Sequence, residues 1–204
     1  MVAIENRKYT REEYFELLEA SEVKLEYHFG YIVAMAGGKP SNSLIATNLR
    51  RRIAEQLDDR DCLVYDSDLA VEMDEGNRYV FPDATVVCGE QLFSNYNKNA
   101  LTNPVLIIEI LSKSTENYDK GDKFRFYRGI PSLKEYVLIS SDRPVVESFY
   151  KEGEGLWRIS SVINLDSNIH LYALNIDIPL AQIYAKVTGL KEPNEDLPFL
   201  HQLS

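Results

Sequence analysis

Apolar and polar positions along this chain fall into blocks of helical and extended spacing. Tyr14, Leu17 and Leu18 mark one face of a short helix, and Thr10 followed by Glu13 has the form of a capping box at its start. After Ser21 the period shortens to two. Val23, Leu25, Tyr27 and Phe29 alternate with Lys24, Glu26 and His28, and Gly30 turns the strand back into residues 31–35, which predicts an amino-terminal hairpin. Gly37-Gly38-Lys39-Pro40-Ser41-Asn42 reads as a loop ending in helix-cap residues. Ile45, Leu49, Ile53 and Leu57 then define a second amphipathic helix.

From Cys62 to Cys88 the pattern is mostly strand. Leu69, Val71 and Met73 alternate, Asp74-Glu75-Gly76-Asn77 reads as a turn, and Tyr79 begins a return strand. The polar stretch 89–103 predicts a long loop able to cover a site. Residues 105–111 are aliphatic except for Glu109, the pattern of a strand buried on both faces. Ser112, Ser114 and Thr115 offer caps for a helix running to about Arg128, where Gly129 and Pro131 stop it. Residues 135–140 form another strand, and 145–150 pairs with 156–163 as a carboxy-terminal hairpin. A last short helix is expected from Ile178 through Lys186, followed by a loose tail over 187–204. The sum is one α/β domain over 1–186, with a mixed central sheet flanked by helices and hairpins at both ends.

Composition narrows the function. The 204 residues, 45% of them hydrophobic, suffice for a single core. Acids outnumber bases 32 to 22, for a formal charge of -10, which argues against indiscriminate binding of polyanions but leaves room for acids that hold a metal. Lys113, Lys120, Arg125 and Arg128, with Arg50, Arg51 and Arg52, are basic groups that could meet phosphates or simply solvate helix faces. Cys62 and Cys88 lack a CxxC spacing and read as reduced, buried thiols. Residues 1–8 hold no hydrophobic signal region and no span approaches membrane length, so a cytoplasmic protein with no membrane partner is expected.

The candidate chemistry lies in two acids on core strands. Asp83 follows Pro82 and leads into residues 84–88, and Glu109 stands inside its aliphatic run. An ionised carboxylate there is costly unless a cation meets it, and two such acids suggest a shared divalent ion. Lys123 is the candidate for positioning a water activated by that ion. Plainer readings stand beside each. Glu109 also fits a salt bridge to a core base, Pro82-Asp83 fits turn chemistry, and Lys123 with Asp119 fits an exposed helix pair. Glu26 alternates with Lys24 and His28 on what could be a solvated face, and Asp68 suits a turn better than an acid cluster. His28, His170 and His201 make no zinc spacing, Gly37-Gly38-Lys39 lacks the remaining P-loop positions, and no Gly-x-Ser-x-Gly elbow is present.

Pro82-Asp83 followed by Glu109-Ile-Leu-Ser resembles the core of the PD-(D/E)XK nuclease superfamily, except that Leu111 stands where that pattern has Lys. A longer likeness runs through Tyr118-Asp119-Lys-Gly-Asp-Lys123-Phe-Arg-Phe-Tyr127 and Ile130-Pro-Ser-Leu-Lys-Glu135. With Tyr9-Thr-Arg-Glu-Glu-Tyr14, Lys24-Leu-Glu26 and Gly30-Tyr-Ile-Val-Ala-Met35, it resembles the Uma family of bacterial nuclease-like proteins up to about residue 186. The resemblance implies a restriction-endonuclease-like core and an acidic cluster of Glu26, Asp83 and Glu109. It also implies a catalytic lysine moved to Lys123 on the following helix. The resemblance further implies a His near the start of the second helix, where this chain has Asn42.

The leading reading is therefore an endonuclease that hydrolyses DNA with Mg²⁺ or Mn²⁺. Asp83 and Glu109 hold the ion, Glu26 is a further ligand or an acid behind them, and Lys123 positions water. The rival is a catalytically silent nuclease-fold module that binds nucleic acid or protein; a hydrolase of small phosphoesters is a third. Cutting both strands implies a homodimer, with Phe149, Tyr150, Leu171 and Tyr172 as apolar positions for a partner to cover.

Overall fold

The computed structural model describes residues 2, 3, 7–35, 37–112 and 116–193. The expected capping box opens α1 (Arg11–Ala20): Thr10 Oγ1 accepts from the Glu13 amide at 3.2 Å, and Glu13 Oε2 accepts from the Thr10 amide at 2.7 Å. Of its apolar stripe only Tyr14 is fully buried, stacked on the rings of Tyr27 and Tyr79.

Two six-stranded sheets and one hairpin carry the rest. The first sheet contains β1 (Val2–Ala3), β2 (Leu25–His28), β3 (Tyr31–Ala34), β5 (Ala70–Met73), β6 (Arg78–Val80) and β8 (Ala100–Leu101), in the order β1-β3-β2-β6-β5-β8. The second contains β4 (Cys62–Tyr65), β7 (Ala84–Cys88), β9 (Leu106–Leu111), β10 (Glu135–Ser140), β11 (Val145–Gly153) and β12 (Leu156–Ile163), in the order β12-β11-β10-β9-β7-β4. It is mixed: β9 and β10 run parallel and their other neighbours antiparallel. At the β2–β3 turn Phe29 and Gly30 both take positive φ, 51° and 96°, the two-residue geometry that matches strand twist. A Cβ on Gly30 would also press on Lys8 Cβ at 3.1 Å.

Alternation in β9 decides the layers. Leu106, Ile108 and Ile110 face α2 (Pro40–Leu57), whose Ile45, Leu49 and Ile53 are buried against them. Ile107 and Leu111 face the other way, into a core shared with Tyr127 and Tyr136 and with Val71 and Val80 of the first sheet. Glu109 has the parity of Ile107 and Leu111, so the fold sends it between the two sheets. That space is closed by α3, a helix in three successive segments (Glu116–Tyr118, Asp119–Lys123 and Phe124–Tyr127) whose middle is a wider π turn.

Several expectations are corrected. The segment 89–103 does not cover the acids. It folds back through β8, which pairs with β5, and through a bridge from Phe93 to Leu101. The helix expected from Ile178 is shorter, because Ile176 and Ile178 are buried strand positions of β14 (Ile176–Pro179), paired with β13 (Asn168–Leu171). Only Leu180–Ile183 forms the terminal helix α4. The start of the tail is docked: Val187 and Leu190 pack against the core. Residues 194–204, with His201, and the proposed Lys113, Ser114 and Thr115 lie outside the described residues.

The cysteines are not reduced thiols. Cys62 and Cys88 are direct partners across the antiparallel β4–β7 pair and form a disulfide, with Cα atoms 4.0 Å apart. The expectation of a cytoplasmic protein thereby loses its cysteine argument; what stands is that no described helix is long and apolar enough to cross a membrane. The bond closes a sequence separation of 26 residues, so reduction should cost about 3.5 kcal/mol by the chain-entropy account. Urea unfolding with and without reductant measures this. Equal midpoints would show that the crosslink contributes nothing.

Candidate active site

The site is built from four places in the chain. Asp83 lies just ahead of β7, beside β9 in the sheet. Its Oδ2 accepts the Ile110 amide at 2.7 Å, which fixes the carboxylate at the Glu109 end of the neighbouring strand. Arg50 of α2 donates to the Asp83 carbonyl at 3.0 Å and so braces the same turn. Glu109 is buried, and its Oε1 accepts from the Lys123 ammonium at 2.8 Å and from the Tyr127 hydroxyl at 2.8 Å. Lys123 also lies 3.5 Å from Asp119 Oδ1, and only 5% of it is exposed. Glu26, wholly buried on β2, arrives from the first sheet. His28 Nε2 lies 3.2 Å from its Oε2, and the Phe81 amide donates to its Oε1 at 3.4 Å.

Glu26, Asp83, Glu109, Asp119 and Lys123 line one cleft of about 480 Å³. All four residues expected at the site are brought together. The solvated readings of Glu26 and Lys123 are overturned, because the face that alternation left polar is covered by the second sheet and by α3. The helix pair with Asp119 is present but buried, and the plain reading of Glu109 as salt-bridged to a core base is met by Lys123. Asp68 stays outside the cluster; its exposed carboxylate pairs with Lys24 at 2.7 Å. Of the helix bases, Arg51 and Arg52 pair with Glu55, and Lys120 with Glu116 and Glu147. Asn42 lines the cleft and donates to the Ile110 carbonyl at 3.4 Å.

Two participants went unrecognised as such in the sequence. Asp119 was visible only as a helix partner of Lys123. Tyr127, one turn beyond Lys123, carries no role in the sequence beyond closing the stretch that resembles the family. The i, i+4 spacing of 119, 123 and 127 behind a strand bearing Glu109 was the available signal.

Electrostatics follow from several acids sharing one cation. Burial pushes the Glu109 carboxyl up, and Asp83 and Asp119 add to this, against the opposing pull of Lys123, to about 8. Burial likewise raises Asp83, against the Ile110 amide and Lys123. Glu26 is the exception: burial pushes it up, but Lys123, His28 and the Phe81 amide together leave it below the usual carboxylate range. For Lys123 the order reverses. Burial disfavours its charge, but Glu109, Glu26 and Asp119 outweigh that and hold the ammonium charged.

Among the described residues, no three His, Cys, Asp or Glu side chains are gathered as a ready-made metal group. The donor chemistry nevertheless suits a hard cation. Glu109 Oε2 and Asp83 Oδ1 take no hydrogen bond among the described residues, while their partner oxygens are anchored. Mg²⁺ needs only one or two carboxylates and keeps its own waters. Both oxygens of Glu26 are already engaged, which suits it less to ligation.

The architecture is shared with a solved nuclease-like structure. The crystal structure of "a putative nuclease belonging to DUF820" from Anabaena variabilis ATCC 29413 superposes with a TM-score of 0.66, covering 86% of this chain and 97% of that one at 16% identity, a likeness of fold. The chain belongs to the Uma2 family, described as "Putative restriction endonuclease", whose model matches residues 11–181. Two uncharacterized Synechocystis sp. (strain ATCC 27184 / PCC 6803 / Kazusa) proteins are similar. The protein slr1290 is 33% identical over 177 residues, which is 87% of this chain and 92% of that protein. The protein sll1609 is 32% identical over 176 residues, 86% and 99% respectively.

Proposed function

We propose that this protein is an endonuclease that hydrolyses DNA phosphodiester bonds with a divalent cation, Mg²⁺ or Mn²⁺. The observation that carries this reading is the buried Lys123 ammonium, held by Glu109 and Asp119 in the cleft that Asp83 lines. A core that needed only charge balance would not gather further acids round one lysine at the edge of an open cleft. Asp83 and Glu109 are the residues that would hold the ion. When bound it would acidify a coordinated water and neutralise charge on the phosphoryl oxygens. Lys123 contributes a fixed positive charge beside the reacting phosphate, and Asp119 and Tyr127 keep it and Glu109 in place. Glu26 acts from behind, adding negative charge that holds Lys123 protonated.

Plasmid DNA incubated with the protein and Mn²⁺ tests the reading. Nicked or linear product, absent with EDTA, is expected. Retained DNA binding with no cleavage under any divalent ion would favour the silent binding module.

Cutting both strands would require two copies, and a homodimer belongs to the proposal. The contact would differ from the one expected, because Phe149 and Leu171 are core residues and Tyr150 stacks on Tyr172 at 4.9 Å. Leu156, Ile159 and Ile163 are instead exposed along the edge strand β12. Sedimentation at micromolar concentration should give twice the chain mass. A monomer would exclude this contact and point to nicking of single strands.

A further inference from the structure

The cleft of the acids is not isolated. A second cavity of about 400 Å³ adjoins it, and the two share Lys39 and Ser112 as lining residues. The cations round both are largely committed. Lys123 is held by Glu109 and Asp119, Lys24 by Asp68, Lys120 by Glu116 and Glu147, and Arg143 by Asp142. Lys39 differs: it is exposed, and among the described residues it makes no ion pair. It stands at the junction of the two cavities, with Asp83 and Glu109 lining the first.

The residues before it are also unexplained by folding. Gly37 and Gly38 line the first cavity, and neither takes the left-handed backbone that favours glycine. A Cβ at Gly37 would meet nothing within 4 Å, and one at Gly38 only Asn42 Cβ at 4.0 Å. Nothing in the fold requires the missing side chains. Bare backbone facing a cleft is what lets a ligand approach closely.

We propose that Gly37-Gly38-Lys39 is a clasp for the nucleic-acid strand. In it the glycine backbone admits the sugar-phosphate chain opposite Asp83 and Glu109, and Lys39 pairs with a phosphate beyond the scissile one as the strand passes into the second cavity. This rests on the nuclease reading and deepens it, since it makes the substrate a strand with phosphates on both sides of the cut. The phosphates of a strand carry one charge every ~3.4 Å of rise, so a second contact at the junction is the natural extension of one at the acids. The same clasp explains how a chain of net charge -10 can bind a polyanion: the contact is local and uses a cation that no acid among the described residues has claimed.

The test is fluorescence anisotropy with a labelled 12-nucleotide DNA, single-stranded and as a duplex, in Ca²⁺ over a range of KCl concentrations. Lys39→Ala should weaken binding roughly five- to tenfold and reduce the slope of log affinity against log salt by about 0.7–0.9, the loss of one phosphate contact. Lys39→Arg should restore both. Gly37→Val should weaken binding with an unchanged melting temperature, because its side chain has space in the fold but not beneath a bound strand. Unchanged affinity and slope in Lys39→Ala, with the parent binding DNA, would overturn the clasp and leave the nuclease reading standing. A parent that neither binds nor cuts DNA would overturn both.

Discussion

Lys123→Ala should lose DNA hydrolysis by at least about 10²–10³-fold, and it should also melt at a lower temperature than the parent. The two effects share a cause. The ammonium is the counter-charge for Asp119 and the hydrogen-bond donor to Glu109 in a site that water scarcely reaches. Removing one partner of a buried pair leaves uncompensated charge, typically at a cost of about 3–5 kcal/mol. The plainer reading of Lys123, as half of an exposed helix pair, would leave the fold indifferent to its loss; burial reverses that. Added Mn²⁺ should raise the melting temperature of the variant more than that of the parent, because the ion supplies the missing positive charge. Circular dichroism melts beside the plasmid assay separate the outcomes. A folded variant that cuts DNA at the parental rate would remove Lys123 from the chemistry.

Asp83→Asn and Glu109→Gln should each abolish cleavage and most of the rise in melting temperature that Mn²⁺ gives the parent. The Glu109 variant carries a second signature. Burial raises the Glu109 carboxyl of the folded protein from the ordinary 4.5 to about 8, against the pull of Lys123. Between those values the native state binds the extra proton, so this group makes the metal-free parent less stable as pH rises through the window. Mn²⁺ favours the ionised carboxylate and should oppose that fall. Glu109→Gln cannot ionise and should flatten the profile with and without the ion, while its amide oxygen can still accept from Tyr127. A parent whose melting temperature ignores saturating Mn²⁺ at pH 8 would argue against a metal site at these acids.

The parts of this molecule that could be read in advance are those whose periodicity also fixed their surroundings. The stripe of Ile45, Leu49 and Ile53 needed an apolar sheet, and the aliphatic run round Glu109 could only be a covered strand. What escaped were facts about partners far away in the chain. Alternation in β2 showed that Lys24, Glu26 and His28 share a face, but not that a second sheet and α3 cover Glu26. The disulfide depends on the register of β4 against β7, which sets Cys62 opposite Cys88 and leaves no trace in local spacing. Asp119 and Lys123 looked like an ordinary surface pair because helical spacing is the same whichever side is buried.

The π turn at Asp119–Lys123 carries one residue more than a regular turn needs. A one-residue deletion at Gly121 could therefore be absorbed by winding the segment into uninterrupted α-helix. The surplus residue is what the wider turn takes up, so both flanks would keep their faces, with Asp119 ahead of the deletion and Lys123 and Tyr127 behind it still turned towards Glu109. Asp119 and Lys123 would then stand three residues apart, a spacing that still sets two side chains on one face of a regular helix. A shortened chain of this kind would show whether the site needs the wider turn itself or only the charges it carries.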